Sequence, residues 1–235
     1  MSTFLKAEWR KLIMANYVVD PQILLPLLPA QTELDFFRDN CYVSLVGFMF
    51  LNTRVLGLRI PGHINFEEVN LRFYVRHYKD DAWKRGVVFH KEIVPRRAIS
   101  FIANTLYGEK YETLPMNQSW EETADELTVS YQWKKENWNT LAVKCSPAEE
   151  PIRSGSEEEF ITEHYWGYSK INEHKTSEYE VGHPKWGVYP MRSYTIDVDF
   201  EKNYGTRFAF LNKEKPASVF LAEGSEIFVK KGLKF

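Results

Sequence analysis

The stretch FEEVNLRFYVRH, residues 66–77, carries the pattern that decides the fold. Apolar side chains recur at every second position, at Val69, Leu71, Phe73 and Val75. The positions between them hold a polar row, Glu68, Asn70, Arg72 and Tyr74. Successive side chains of a β-strand point to opposite faces, so this alternation predicts a strand with one apolar and one polar face.

The polar row has two interpretations. A carboxylate, an amide, a guanidinium and a phenol in one line could bind a small polar ligand inside a barrel, with Arg72 pairing an anion. Alternatively, the row faces solvent and the apolar residues form the core. The spacing alone does not distinguish these two arrangements.

Strand-like patterns extend in both directions from this segment. A long apolar run precedes it, and the partner strand 86–94 follows it. Turn residues at 136–139 and at 172–175 predict two hairpins. The predicted strands are 41–51, 70–77, 86–94, 127–135, 140–145, 165–171, 177–181, 194–198, 206–211, 219–222 and 226–230.

Helix signals are few. Asp20 caps a short helix that starts with Pro21 and is closed by Pro29, and a second helix is predicted from Pro95 to Gly108. A third begins after Ser156, where Glu159 completes a capping box and Phe160 and Ile161 are expected to face inward.

These elements predict an α+β chain that is mainly antiparallel β. No segment alternates strand and helix as a parallel doubly wound sheet requires. So many strands leave exposed edges unless the sheet closes, which favours a barrel. The charged stretch 146–159 is the one candidate linker and it is short, so residues 1–235 are predicted to form a single domain.

Composition excludes several classes of function. The 235 residues include 30 Lys+Arg and 32 Asp+Glu, and the net charge of −2 argues against non-specific nucleic-acid binding. No apolar run reaches the roughly 20 residues that cross a bilayer, and the first residues carry charge, so no membrane association is expected. Cys41 and Cys145 lie in apolar runs and are typical of reduced core residues in a cytoplasmic protein.

Familiar catalytic motifs are absent from the sequence. It has no phosphate-binding glycine loop, no dinucleotide fingerprint and no GxSxG nucleophile elbow. The six histidines are scattered, and none has the spacing of a typical metal site. We therefore expect neither a metal nor a cofactor.

Two further clusters could carry chemistry. Arg96 and Arg97 follow Pro95 and could bind an anion, although ordinary surface charge explains them equally simply. His164 and His183 lie in aromatic segments, where either could act as an acid or base if a carboxylate lies near. The alternative for these segments is packing of aromatic side chains across strands.

Five segments together resemble a known family. They are YVSLVGF (42–48), FEEVNLR (66–72), IVPRRA (93–98), HYWGY (164–168) and HPKW (183–186). Their order is similar to that of the domain of unknown function 2071 family, which is grouped with the acetoacetate decarboxylase-like superfamily. The resemblance spans nearly the whole chain. It implies a single-domain, cone-shaped antiparallel β-barrel that encloses a cavity, and it implies no function.

The superfamily comparison also shows what this chain lacks. Acetoacetate decarboxylases form a Schiff base through a lysine in a Pro-Lys-Lys segment, whereas the similar segment here is Pro95-Arg96-Arg97. A guanidinium stays protonated and cannot serve as the amine nucleophile. Glu68 is similar to the acidic residue near that lysine. Decarboxylation by this route is disfavoured, while anion binding by Arg72 and Arg97 remains.

Three hypotheses follow. The first is a protein that binds a small acidic or carbonyl-bearing metabolite in a barrel cavity, or an enzyme of unassigned reaction acting there. The second is a lyase that uses a different lysine. The third is a structural or interaction module whose contact surface is formed by the exposed members among Trp120, Trp133 and Trp138. A filled interior without a cavity of roughly 300 Å³ would favour it. A homo-oligomer through edge strands near the C-terminus is left open.

Overall fold

The computed structural model describes residues 3–95 and 110–235. Residues 96–108 of the predicted second helix, which include the candidate residues Arg96 and Arg97, lie outside these ranges. The described strands are β1 (Thr3–Val18), β2 (Glu33–Leu34), β3 (Tyr42–Val55), β4 (Phe66–Lys79), β5 (Ala82–Val94), β6 (Tyr111–Thr113), β7 (Met116–Glu122), β8 (Leu127–Lys134), β9 (Trp138–Cys145), β10 (Glu150–Pro151), β11 (Trp166–Asn172), β12 (Lys175–Gly182), β13 (Gly187–Tyr189), β14 (Met191–Asp197), β15 (Ser218–Lys230) and β16 (Leu233–Lys234). The described helices are α1 (Pro21–Leu24), α2 (Glu157–Thr162) and α3 (Phe200–Tyr204), with 3-10 helices at Leu25–Leu27 and Thr206–Asn212.

The main sheet closes into a ring of strands in the order β15-β1-β3-β4-β5-β11-β12. Pairing of Val181 with Val229 joins β12 back to β15 and completes the ring. Its neighbours pair antiparallel, except that β5 and β11 run parallel where Gly86 meets Trp166. The closed ring confirms the predicted mainly antiparallel barrel, in which the central strands have no unpaired edge.

A second sheet of four strands, in the order β14-β9-β8-β7, packs against the ring. The side chains between the two layers form an outer core that includes Leu45, Leu71, Val129 and Leu141. Gly47 on β3 allows the close approach, because a Cβ there would lie 2.7 Å from the ring of Tyr131. Any larger residue would push the two layers apart.

Strand β4 is buried on both faces. Leu71 and Phe73 belong to the outer core, with exposed fractions of 0% and 1%. Glu68, Asn70 and Arg72 point to the other face and are only 2%, 1% and 8% exposed. The solvent-facing interpretation of the polar row is therefore wrong.

Two of the predicted helices are confirmed. The carboxylate of Asp20 accepts a hydrogen bond from the backbone N–H of Gln22 and caps α1 (2.9 Å). The hydroxyl of Ser156 accepts one from the N–H of Glu159 at the start of α2 (3.2 Å). Phe160 is buried inside the ring as expected.

The predicted strand 206–211 is wrong. Residues Thr206–Asn212 form a 3-10 helix directly after α3, and Phe208 and Leu211 are its buried side chains. These two residues are three positions apart, which matches one turn of a 3-10 helix. A short apolar run does not separate this spacing from strand alternation, which explains the error. Asp199 caps the start of α3, and the sequence pattern did not identify it as a helix signal.

The C-terminal and N-terminal strands also differ from expectation. The predicted strands 219–222 and 226–230 are one continuous strand, β15, which passes through Gly224 at a positive φ of 82°. A Cβ at Gly224 would lie 2.0 Å from the carbonyl oxygen of Trp9, so the position requires glycine. Strand β1 was not predicted at all, although it pairs with both β15 and β3.

Both cysteines are buried free thiols, as the sequence indicated. Burial raises the pKa of Cys41 and of Cys145 to about 11. Over the residues that the structure describes, no helix has the length and apolar character to cross a bilayer.

Candidate functional site

The ring contains a cavity of about 150 Å³ that is partly open to solvent. Its lining side chains come from all seven ring strands, so the cavity occupies the ring interior. The volume is below the roughly 300 Å³ of a typical drug-sized ligand site, the limit below which the structural or interaction module gains support, although the interior is not filled. An engineered cavity of about 150 Å³ in another protein binds benzene, so this one suits a ligand of about six non-hydrogen atoms.

One part of the cavity wall is apolar and aromatic. The side chains there include Trp9, Leu12, Phe48, Phe50, Phe66, Val87, Val181 and Trp186. The rings of Phe50 and Phe66 stack with their centroids 4.7 Å apart. A polar part of the wall is formed mainly by β4, β5, β6 and the segment from the end of α2, and it contains Glu68, Asn70, Arg72, Glu92, Tyr111, Thr162 and His164. Further polar side chains, Thr53, His63, Tyr179 and His183, line the cavity outside this part.

Two buried carboxylates, Glu68 and Glu92, lie in the polar part of the wall. Asn70 donates from Nδ2 to Oε1 of Glu68 (2.9 Å), and the hydroxyl of Tyr111 donates to Oε2 of Glu68 (3.3 Å). Glu92 on β5 is paired directly with Asn70 in the strand register. Glu92 was not identified as a site residue from the sequence, because the arginines of its segment were taken as the candidates. Its alternating position on β5, opposite Asn70 on β4, could have indicated that it faces the cavity.

Arg72 is the cation of the cavity wall. Its Nη2 atom donates to the carbonyl oxygen of Ile161 (3.4 Å) and lies 4.0 Å from Sδ of Met14. The centre of its guanidinium lies 5.7 Å from the centroid of the Tyr74 ring. Among the described residues, no carboxylate lies within ion-pair distance of Arg72.

His164 is oriented by a carboxylate that sequence reasoning missed. Its Nε2 atom lies 3.1 Å from Oδ2 of Asp35, and the same oxygen accepts from Nε of Arg85 (2.6 Å). Burial lowers the pKa of His164 to about 4, although Asp35 opposes the shift. Asp35 is 129 residues away in sequence, and no local pattern connects the two.

Several buried polar atoms of the lining side chains have no hydrogen-bond partner among the described residues. They are Trp9 Nε1, Thr53 Oγ1, Asn70 Oδ1, Arg72 Nε and His164 Nδ1. Buried polar groups in native proteins are nearly always paired with protein or with ordered water, so the described protein groups alone do not satisfy these five atoms.

Two other candidate residues have different surroundings. Tyr74 does not line the cavity: its hydroxyl hydrogen-bonds Ser44 Oγ (2.6 Å), and its ring packs 4.8 Å from that of His164. His183 lines the cavity and stacks on Trp186 with ring centroids 4.2 Å apart. Its Nδ1 donates to the carbonyl of Pro184 (2.9 Å), and burial lowers its pKa.

The lysines lie elsewhere. Within the described ranges no lysine side chain lines the cavity, and the sequence of 96–109 contains none. Lys91 projects from β5 toward Glu112, with 3.2 Å between Nζ and Oε2, and donates to the carbonyl of Asn203. The same described ranges hold no cluster of three His, Cys, Asp or Glu side chains that could bind a metal.

The three tryptophans proposed as a contact surface do not share one. Trp133 is fully buried and donates from Nε1 to Oδ1 of Asn203 (2.8 Å). Trp120 and Trp138 remain exposed on the second sheet. A contact surface on the second sheet would therefore use Trp120 and Trp138 and not Trp133.

The fold is that of the acetoacetate decarboxylase-like proteins. Acetoacetate decarboxylase from Legionella pneumophila superimposes with a TM-score of 0.65 at 12% identity, covering 100% of this chain and 90% of that one. The enduracididine biosynthesis enzyme MppR complexed with pyruvate superimposes with a TM-score of 0.69 at 12% identity, covering 100% and 91%. At 12% sequence identity, these structural similarities establish a shared architecture.

Within that class the chain belongs to the domain of unknown function 2071 family, described as "Uncharacterized conserved protein", whose model matches residues 6–226. The protein YqjF of Bacillus subtilis strain 168, an uncharacterized protein, is 28% identical over 187 residues, or 77% of this chain and 74% of its own length.

Proposed function

We propose that this protein binds a small carboxylate in the ring cavity, with Arg72 as the group that pairs the carboxylate. The observation that carries the proposal is the burial of this guanidinium in a cavity wall with no ion-pair partner among the described residues. A buried charge is costly unless it is paired and hydrogen-bonded. A carboxylate matches the two parallel N–H groups of a guanidinium and would compensate that cost.

Cavity size and fold relatives support the same class of ligand. The cavity holds about six non-hydrogen atoms by comparison with a benzene-binding cavity of the same size, which is the size of pyruvate. MppR, which shares the architecture, has been solved in complex with pyruvate. Small monocarboxylates of three carbons are therefore the first ligands to test.

The binding we propose is non-covalent. A Schiff base needs a lysine amine inside the cavity, and the lining side chains within the described ranges include none. Arg96 and Arg97, which the family resemblance matches to the decarboxylase lysines, keep their protons and cannot serve as the amine. Borohydride treatment with pyruvate should leave the protein mass unchanged; a stable adduct would instead favour the lyase hypothesis.

Thermal unfolding and calorimetry with three-carbon monocarboxylates test the proposal. A ligand at 100 times its dissociation constant should add about 2.7 kcal/mol to the free energy of unfolding of the wild type. The variant Arg72→Met should lose this response. Arg76→Met is the matched control, because Arg76 lies on the same strand but pairs with Glu33 and is more exposed. Failure of the wild type to respond, or an equal response in Arg72→Met, would contradict the proposal.

A further inference from the structure

We infer that this protein docks on anionic membrane surfaces through residues 55–58, the turn that begins the connection from β3 to β4 and is here called the leucine turn. Leu56 and Leu58 are 69% and 72% exposed, the largest exposed fractions among the large apolar side chains that the structure describes. A membrane surface can be contacted without a spanning segment, so the lack of long apolar runs in the sequence does not bear on this site.

The backbone of the leucine turn does not explain its leucines. The two ends of the turn exchange backbone hydrogen bonds of 3.0 Å, and Leu56 and Gly57 between them have φ values of 51° and 83°. Two-residue turns with positive φ at both positions usually begin with Asn, Asp or Gly. The turn between β4 and β5 follows that rule, with Asp80 and Asp81 at φ values of 52° and 58°. The same turn therefore forms without leucine, and a leucine in this conformation is strained as well as exposed.

Three cationic side chains surround the leucine turn. Arg54 and Arg59 flank it in sequence, and Lys6 on β1 pairs with Arg54 in the strand register. All three are exposed, and none lies within ion-pair distance of a carboxylate among the described residues. Glu8 and Glu226 lie two positions further along their strands, and Glu8 is ion-paired with an arginine. The turn is thus locally positive, although the net charge of the chain is −2.

The shape of this tip favours a lipid surface over a protein partner. Two leucines project from a narrow turn, and a protein would need a matching pocket to bury them. The boundary between headgroups and acyl chains accepts protruding apolar side chains of any shape, and neighbouring Lys and Arg attract anionic headgroups. Phe228 on β15, 36% exposed and paired with Lys6 in the register, adds apolar surface on the same face of the sheet.

The leucine turn also lies beside one end of the ring cavity. The N–H of Leu56 donates to the carbonyl of Phe4 (2.8 Å), and Phe4, Val55 and Ile60 line the cavity. These three lining side chains are half-buried, whereas Arg72 is only 8% exposed. Docking through the turn would therefore bring the more exposed end of the cavity to the membrane surface. The docking itself does not depend on the proposed carboxylate binding.

Co-sedimentation of the wild type with large unilamellar vesicles tests the inference. Vesicles of phosphatidylcholine with about 30% phosphatidylserine should bind the protein at about 0.05 M salt, where charge is weakly screened. Vesicles of phosphatidylcholine alone, or about 0.5 M salt, should lower the apparent lipid affinity at least about tenfold, because the headgroup attraction is electrostatic. No binding to the anionic vesicles, or equal binding to both kinds, would overturn the inference.

A double variant assigns the contact to the leucines. Leu56→Asn with Leu58→Ser should lower the affinity for anionic vesicles at least about fivefold, because it removes both protruding apolar side chains. Asparagine suits the positive φ at position 56, so the variant should fold normally by circular dichroism. Tyr78→Ser is the matched control, since Tyr78 is 55% exposed beside the turn at the other end of β4, and its affinity should stay within about twofold. A folded double variant that binds as tightly as the wild type rejects the assignment.

A second pair of variants tests the charge. Arg54→Gln with Arg59→Gln should lower the affinity for anionic vesicles at least about tenfold, because each removes a cation at the surface that docks. Arg38→Gln with Arg153→Gln changes the net charge equally at exposed positions elsewhere and should change the affinity less than about twofold. Equal losses in the two pairs would mean that net charge alone governs binding, which contradicts docking through the turn.

Light scattering distinguishes lipid contact from self-association through the same residues. Without vesicles, the wild type and the variant with Leu56→Asn and Leu58→Ser should have the same molecular mass in solution. An oligomer that only the wild type forms would show that the leucine turn packs against a second copy of the chain, and it would overturn the inference.

Discussion

Leu71 and Arg72 are neighbours on β4, and both are almost completely buried, yet they lie in different environments. Leu71 points to the outer core between the ring and the second sheet, where apolar side chains fill the space. Arg72 points into the ring, beside a cavity and several polar atoms without described partners. One strand thus separates a packed core from a polar interior.

The two faces of β4 show that burial of side chains can either favour or oppose folding within the same protein. On the outer face, close packing contributes to the free energy of folding. On the inner face, burial of charge and of polar atoms without described partners opposes folding, and a bound ligand is the compensation that we propose. The two faces should therefore respond differently to substitution and to pH.

The largest effect is expected on the outer face. Leu71→Ala should lower the free energy of unfolding by about 2–5 kcal/mol, because it leaves a cavity in a closely packed core. Chemical denaturation measures this loss. Carboxylate affinity of the folded variant should stay within about threefold of the wild type, and a large loss of affinity would show that the two faces are coupled rather than separate.

The next effect is a loss of stability in acid. Burial lowers the pKa of His164, in the ring interior, and of His90, beside Phe208 of the outer core, to about 4. Between about pH 6.5 and 4 the unfolded chain binds more protons, so stability falls as the pH falls. Each histidine contributes a slope of about 1.4 kcal/mol per pH unit in this window.

Single variants divide this acid sensitivity between the two regions. His90→Phe and His164→Phe should each remove up to about 1.4 kcal/mol per pH unit of the slope when unfolding is measured from pH 7 to pH 4.5, while His183, whose pKa burial also lowers, keeps part of it. An unchanged slope in His164→Phe would mean that the ring-interior imidazole is already protonated near neutral pH.

The smallest effect on stability is expected at Arg72, the buried cation of the cavity wall. Arg72→Met, in the absence of ligand, should change the free energy of unfolding by less than about 1 kcal/mol or raise it, since it removes a buried charge while keeping apolar bulk. Urea denaturation without added carboxylate measures this. A loss of more than about 2 kcal/mol would indicate that Arg72 has a structural partner and is not held for a ligand.

Local patterns predicted much of the fold. Alternation gave β4 and the long run of β3, and capping residues gave the starts of α1 and α2. The prediction was wrong at Thr206–Asn212, where a 3-10 helix replaces a strand, and β1 was missed because charged residues interrupt its apolar pattern. In both cases tertiary packing selected among conformations that the local sequence allowed.

The candidate site was predicted only in part. Glu68, Asn70 and Arg72 follow from one strand and from its alternation. Glu92 and Asp35 were missed, because the first acquires its position from strand register and the second from a contact over 129 residues. Tyr74 shares the face of Arg72 but is covered by Ser44 and His164, which spacing cannot indicate.

By itself, the sequence determined that β4 has one apolar and one polar face, because side-chain direction alternates along any strand. It also excluded an amine nucleophile at 96–97, because both residues are arginine. Only the tertiary structure decided that the polar face looks inward. Closure of the ring through β12 and β15 removes that face from solvent, and this closure depends on contacts between segments far apart in the chain.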